Sequence, residues 1–227
     1  MLSKAENLFV NYVILSYNIP NKSFTLFSVD ELFNIYLPIN IQKKVKLVKC
    51  SVASTEMERT AILRQRYDIF VKEFGYFLPK EEDDRLEYDS YDTHSLLFGV
   101  WEDGSLIASC RLVLPNSSLG LPTLKAMVID AKKIQCDQPT AEISRITIAP
   151  EHRVFRKTIK ILQTMQEEIN RVASEYGIEQ FIGAVEPSFL RLLNCSKLSY
   201  QPIGPLQYLI GAERYPVILT HKNFTLP

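Results

Sequence analysis

Along most of the chain, apolar residues recur at one of two spacings, which predicts alternating strands and helices. Residues 45–53, VKLVKCSVA, alternate between apolar and polar positions and predict a strand. The segment after it predicts a helix with one apolar face and with Ser54 or Thr55 as its N-cap. The residues of that face are Leu63, Tyr67, Phe70 and Phe74.

The middle of the chain predicts a hairpin, a strand and a long helix. Two β-rich runs on either side of Asp103–Gly104 indicate the hairpin. One helix is expected near residues 124–134, within an otherwise irregular segment. Residues 141–149, AEISRITIA, predict the strand, and the helix after it ends at Gly177. Its predicted apolar stripe consists of Phe155, Ile159, Leu162, Ile169, Val172 and Tyr176.

The remaining elements complete an α/β pattern. EQFIGAV predicts a strand, PSFLRLL a short helix opened by Pro187, and the segment after it two more strands. This order predicts one mixed sheet with helices on both faces. Residues 1–45 are predicted to be an N-terminal extension with a short helix, and residues 46–227 the main domain.

Composition excludes several classes of function. The formal net charge is zero, so the chain has no overall basic footprint for nucleic acid. No apolar run is long enough to span a bilayer, and the apolar start of the chain lacks a signal-peptide cleavage site. The four cysteines and three histidines are widely spaced, so we expect no metal site and reduced thiols in a cytoplasmic protein.

The strand at residues 141–149 contains two charged residues, Glu142 and Arg145. Strand alternation places Glu142 and Ser144 on one face with Ile146 and Ile148, and Arg145 on the other. Buried charges need partners, because desolvation is otherwise too costly. Candidate partners elsewhere in the chain are Arg66, Glu87, Asp89, Asp92 and Arg111.

This charged set is compatible with two roles. Two roles fit Asp89, Asp92, Arg111 and Arg145 equally well. The four can belong to a structural ion network that holds the acidic loop, residues 78–94, against the sheet, or they can take part directly in catalysis. For Glu142 a catalytic role is favoured over a structural one, because a desolvated carboxylate has a raised pKa that suits a general base.

Four cations crowd the start of the long helix: Arg153, Arg156, Lys157 and Lys160. The helix dipole disfavours cations there by about 0.3–1 kcal/mol each when they are exposed. Either this end of the helix binds an anion or the four side chains form an ordinary solvated face.

Four motifs in order, LRQRYDIFVKEFG, EYDSYDTH, GSLIASCRLVLP and EISRITIAPEHR, resemble a known enzyme group. The chain, over about residues 47–220, is similar to acyl-homoserine-lactone synthases and to long-chain N-acyl amino acid synthases of the N-acyl tyrosine synthase type. The resemblance implies a Gcn5-related N-acetyltransferase (GNAT) fold. It also implies an acyltransferase that needs no metal or organic cofactor.

The resemblance also assigns residues to the site. It places a charged set around the acyl-transfer site, with Glu142 as the candidate base. Backbone amides near a splay or bulge in the strand at residues 142–148 are expected to polarise the thioester carbonyl. The catalytic set consists of Arg66, Asp89, Asp92, Arg111, Glu142 and Arg145. The residues expected to bind substrate are Phe70, Phe74, Ser144 and Ile146.

Two departures from the family pattern refine this expectation. The turn EHRVFRKT contains no glycine, and its bulky side chains oppose close approach of the backbone to a diphosphate. We therefore expect acyl carrier protein as the donor. The four cations of the long helix are expected to bind it. Tyr76 and Phe77 stand where lactone synthases usually have a Trp, which favours a free amino acid such as tyrosine as acceptor.

Two alternatives stay open. One is an acyl-homoserine-lactone synthase that uses S-adenosylmethionine and acyl carrier protein. The other is a degenerate fold that only binds lipid or a partner protein, against which the retained charged set argues.

Overall fold

The computed structural model describes residues 47–79 and 85–220, and the predicted extension and its helix lie outside them. The strands are β1 (Val48–Val52), β2 (Ser95–Glu102), β3 (Ser105–Val113), β4 (Thr140–Ile148), β5 (Gln180–Val185), β6 (Gln201–Pro202), β7 (Gln207–Leu209) and β8 (Ala212–Thr220). The helices are α1 (Glu56–Arg66), α2 (Pro122–Ala126), α3 (Phe155–Glu175) and α4 (Pro187–Cys195).

All eight strands join one mixed sheet. Its order is β1-β2-β3-β4-β5-β8-β6, and β7 pairs with β8. The β4–β5 pair is parallel and the other pairs are antiparallel. Cys110 and Leu112 of β3 pack with α3, whereas Arg111 between them faces the α1 side. Helices therefore cover both faces, as predicted.

The first helix begins as predicted but does not continue as a regular α-helix. Thr55 is its N-cap, in a capping box with Glu58. After Arg66 the chain forms a π-helix over Tyr67–Glu73. The wider turn changes the buried face, so the predicted stripe is wrong in part: Phe74 is 45% exposed. The residues of this segment that are buried are Ile62, Arg66, Tyr67 and Ile69.

Three other segments differ from the predictions. The helix expected near residues 124–134 is replaced by α2 and a single 3-10 turn at Ala131–Lys133. The acidic segment before β2, which has no apolar period, forms a 3-10 helix at Ser90–His94 and buries carboxylates. The C-terminal segment forms three strands instead of two.

A bulge in β4 overturns the predicted sharing of faces. Arg145 has φ 54°, and the β3–β4 register shifts there, with Arg111 opposite Ser144 but Ser109 opposite Thr147. The bulge adds one residue to β4, so the side chains after it point to the opposite face of the sheet from the one predicted. Ile148 therefore packs in the α3 core and not beside Glu142. The bulge that the family resemblance implied is present.

A gap between β4 and β5 begins just before the bulge. Parallel pairing of β4 with β5 covers only three residue pairs and ends at Glu142 and Ile182. Gly183 follows, and a Cβ there would lie 2.7 Å from the Ile143 carbonyl oxygen. The strands therefore approach closely at Gly183 and diverge after it.

The main core lies between the sheet and α3. The residues at the centre of the predicted apolar stripe are buried in it, whereas those at the two ends are exposed. Leu162, Ile169 and Val172 are buried, whereas Phe155 is 58% and Tyr176 51% exposed. Phe155 is the first residue of α3 and Tyr176 is its C-cap, so both exposed residues lie at the ends of the helix. None of the helices in the described ranges is long and apolar enough to cross a membrane.

We predict that Leu162→Ala lowers the free energy of unfolding by about 2–5 kcal/mol, because it leaves a cavity in the main core. Phe155→Ala, on the same helix, is expected to change it by less than about 0.5 kcal/mol, since the ring is mostly solvated. Urea unfolding of both variants measures the difference. An equal loss for the two would contradict the exposure of Phe155.

Candidate functional site

Three arginines and three carboxylates form a buried ion network of balanced charge. Its members are Arg66, Arg111, Arg145, Glu87, Asp89 and Asp92. Arg66 lies 2.5 Å from Glu87 and 2.7 Å from Asp92. The network joins α1, β3 and β4 to the acidic segment before β2, so the predicted partners are brought together.

Asp89 lies at the junction of two arginines. Its carboxylate is 2.5 Å from Arg111 Nη1 and 3.0 Å from Arg145 Nη2. Asp89 also caps the 3-10 helix, in a capping box with Asp92. The acidic segment is therefore held through its backbone as well as its charges.

The network fixes the ionisation of its buried members. Burial by itself would raise the pKa of Asp92, but Arg66 and Arg111 outweigh it and hold that pKa below its usual value. Burial likewise opposes the charge of Arg66, and Glu87 and Asp92 reverse the effect, so its pKa is raised. Both groups therefore stay charged at neutral pH, as members of a structural network do.

A cleft of about 450 Å³ opens where β4 and β5 diverge. Its walls come from the π-helix and the residues after it, from α2 and α4, and from the β7–β8 hairpin. All four residues predicted to bind substrate line it: Phe70, Phe74, Ser144 and Ile146. Of the predicted catalytic set, Glu142, Arg111 and Arg145 line the cleft, whereas Arg66, Asp89 and Asp92 do not.

Glu142 faces this cleft and lies apart from the ion network. It is only 2% exposed, and none of the described residues forms a salt bridge with it. The Thr123 backbone N–H donates to Oε2 at 2.7 Å and the Thr123 hydroxyl donates to Oε1 at 2.9 Å. Each oxygen keeps a lone pair, so the carboxylate can still accept a proton from a ligand.

Burial gives Glu142 a pKa suited to proton transfer. Desolvation raises its pKa to about 7, against the opposing effects of the Thr123 hydrogen bonds and the charges of Arg111 and Arg145. A group with this pKa exchanges protons readily near neutral pH. Glu142 is therefore a buried carboxylate at the cleft whose pKa allows it to exchange protons near neutral pH.

The sequence interpretation missed Thr123, Glu186 and Arg214 of the cleft, and it named Tyr76 without its partners. Thr123 follows Pro122 in the first turn of α2, which begins before the helix expected near residues 124–134, and no feature of the sequence indicated a carboxylate partner for it. Tyr76 hydrogen-bonds Glu186, 110 residues further along the chain, at 2.8 Å. Arg214 lies beside them on β8, and no local sequence signal links the three.

The four cations at the start of α3 divide into two pairs. Arg153 forms a salt bridge with Glu73 and also donates to the Ile148 carbonyl oxygen at 2.8 Å. Lys157 lies 2.9 Å from Glu102. Arg156 and Lys160 are exposed, and neither has an ion pair among the described residues.

Comparisons with known proteins agree with this architecture. Residues 65–163 match the family model described as an acetyltransferase (GNAT) domain, which is less than half of the chain. FeeM, an N-acyl amino acid synthase from uncultured soil microbes, is 13% identical with a TM-score of 0.59, over 78% of this chain and 92% of that one. A search of curated proteins found no match.

Two lactone synthases are also similar in structure. BjaI, a CoA-dependent acyl-homoserine lactone synthase, is 20% identical with a TM-score of 0.60, over 77% of this chain and 83% of that one. The AHL synthase LasI is 18% identical with a TM-score of 0.57, over 77% of this chain and 88% of that one. At such identities the likeness establishes the fold, and the predicted GNAT-like fold is confirmed.

We predict that Arg66→Met lowers the free energy of unfolding by about 3–5 kcal/mol, because Glu87 and Asp92 would lose a buried partner. Arg64→Met is the matched control, since Arg64 is exposed on the same helix and its loss should cost less than about 0.5 kcal/mol. Urea unfolding at neutral pH measures both. Equal stability of the two variants would show that the network contributes nothing to the fold.

Proposed function

We propose that this protein transfers a long-chain fatty acyl group from acyl carrier protein to the α-amine of a tyrosine-like amino acid. The observation that supports this most strongly is Glu142, a buried carboxylate that faces the cleft, has no salt-bridge partner among the described residues and has a pKa of about 7. A group of this kind suits removal of a proton from an attacking amine.

The reaction is a direct attack on a thioester. The amine nitrogen forms a bond to the acyl carbon while Glu142, directly or through water, takes the proton that the nitrogen loses. The carbon–sulfur bond then breaks, and the thiolate of the carrier arm leaves and is protonated. The bulge at Arg145 lies on the cleft wall, so backbone N–H groups near it are the proposed donors to the negative oxygen of the tetrahedral intermediate.

The diverging strands supply a place for the fatty chain. Val185 at the end of β5, and Phe189 and Leu192 of α4, line the cleft beside the gap. These apolar surfaces suit an acyl chain, and burial of each methylene contributes about 0.8 kcal/mol to binding.

The proposed donor follows from the turn between β4 and α3. This turn is a 3-10 segment, Pro150–His152, and contains no glycine. Arg156 and Lys160 are the exposed cations beside it and are the proposed contacts for an acidic carrier protein. Arg153 and Lys157, which have carboxylate partners, would first have to exchange them.

We predict that Glu142→Gln lowers the rate of thiol release from acyl carrier protein by about 10²- to 10⁴-fold, because the base is lost. In the wild type the rate should rise with pH and lose this dependence above about pH 7, since only ionised Glu142 accepts a proton. The corresponding inflection should be missing from the variant.

Glu175→Gln, at the exposed end of α3, is the matched control and should behave as the wild type. Circular dichroism should show that both variants are folded. A Glu142→Gln protein with near-normal rates at every pH would refute the assignment of the base.

We predict that the double variant Arg156→Ala/Lys160→Ala binds acyl carrier protein about 3- to 10-fold more weakly at low salt, because two surface charges are lost. The difference should shrink as ionic strength rises. Lys132→Ala/Lys197→Ala, which removes two exposed cations elsewhere, is the control in the same fluorescence anisotropy titration. Equal affinities for all three proteins would remove these cations from the docking surface.

The choice of substrates is tested in the same assay. Acyl-coenzyme A and acyl carrier protein are compared as donors, and tyrosine, other amino acids and S-adenosylmethionine as acceptors. Release of thiol with S-adenosylmethionine alone would favour a lactone synthase over an N-acyl amino acid synthase.

A further inference from the structure

A second polar group lines the same cleft as Glu142 and consists of Tyr76, Glu186 and Arg214. We propose that this Tyr76–Glu186–Arg214 cluster binds the charged groups of the acceptor, with Arg214 on its α-carboxylate and Glu186 near its ammonium. This inference rests on the proposed function and adds to it the requirement that the acceptor keep a free carboxylate.

The three side chains come from distant parts of the chain and contact one another. The Tyr76 hydroxyl donates to Glu186 Oε1 at 2.8 Å, and Arg214 Nη2 lies 3.5 Å from the same oxygen. The Arg214 guanidinium also stacks over the Tyr76 ring, 4.9 Å from its centroid. Glu186 is the N-cap residue of α4, immediately after β5.

The fold holds Arg214 rigidly through its other terminal nitrogen. Nη1 donates to the carbonyl oxygens of Leu209 and Ile210, the latter at 2.7 Å, at the β7–β8 turn. In that turn Gly211 has φ 74°, and a Cβ there would lie 2.8 Å from the Tyr76 ring. The turn, the ring and the guanidinium are therefore packed against one another before any ligand binds.

Some hydrogen-bonding capacity of the cluster is unused. Among the described residues, Arg214 Nε has no acceptor, and Nη2 has only the long contact to Glu186. The Nε–Nη2 edge is the side of a guanidinium that binds a carboxylate through two parallel hydrogen bonds. Oε2 of Glu186 likewise has no donor among the described residues.

An α-amino acid matches this arrangement, because its carboxylate and ammonium are adjacent and opposite in charge, as Arg214 and Glu186 are. Ile182 of β5 is the strand partner of Glu142. Glu186 lies four residues after Ile182, a distance of roughly 13 Å along an extended strand. The acceptor would lie with its carboxylate on Arg214 and its α-nitrogen beside Glu186 and facing the thioester, and the proton that the nitrogen loses would pass to Glu142 through water.

The test compares two acceptors that differ only in the carboxylate, tyrosine and tyramine. In the thiol-release assay, Arg214→Gln should raise the KM for tyrosine about 10- to 100-fold, because a charged hydrogen-bonded pair is lost. The KM for tyramine should stay the same, and Arg214→Lys should restore part of the binding of tyrosine. Arg171→Gln, on the exposed face of α3, is the control and should leave both KM values unchanged.

The outcomes separate this inference from the proposed function. If Arg214→Gln raises the KM for tyrosine and tyramine equally, or for neither, the cluster does not recognise the carboxylate, although acyl transfer stands. If the wild type releases no thiol with any amine, the proposed function fails. Calorimetric titration with tyrosine then decides the inference alone: binding to the wild type but not to Arg214→Gln supports the site, and binding to both or to neither overturns it.

Discussion

Three guanidinium groups beside one sheet can be buried only because three carboxylates lie against them. Arg66 and Arg111 are each 1% exposed, and desolvation on this scale would be prohibitive without paired charges. The same contacts hold Arg145 at φ 54°, a left-handed conformation that costs a non-glycine residue about 1–2 kcal/mol. The position of the bulge, and with it the wall of the cleft, depends on this balance of charge.

Two buried carboxylates of this fold, Asp92 and Glu142, have pKa values shifted in opposite directions. Asp92 lies among arginines, so its charge is permanent near neutral pH. Glu142 has only neutral donors from Thr123, so burial dominates and its pKa rises to about 7. The different pKa values of these two carboxylates therefore follow from their neighbours and not from the residue type.

The sequence predicted much of this, and the failures have physical causes. Alternation and helical spacing identified the hairpin, β4 and α3, because those elements each bury one regular face. The π-helix after Arg66 and the bulge at Arg145 each change the period, so the buried faces of both segments were assigned wrongly in part. The charged residues were found because a charge within a strand is unusual, whereas Thr123 and the Tyr76–Glu186–Arg214 cluster act through contacts that no local spacing reveals.

The short pairing of β4 with β5 has a further consequence. After Glu142 and Ile182 the ladder stops, yet both strands continue, so peptide groups along their inner edges face the gap instead of each other. Buried peptide groups require hydrogen-bond partners. In the proposed reaction, the elongated arm of the acyl donor, which contains amides of its own, would pair with these groups in place of a strand.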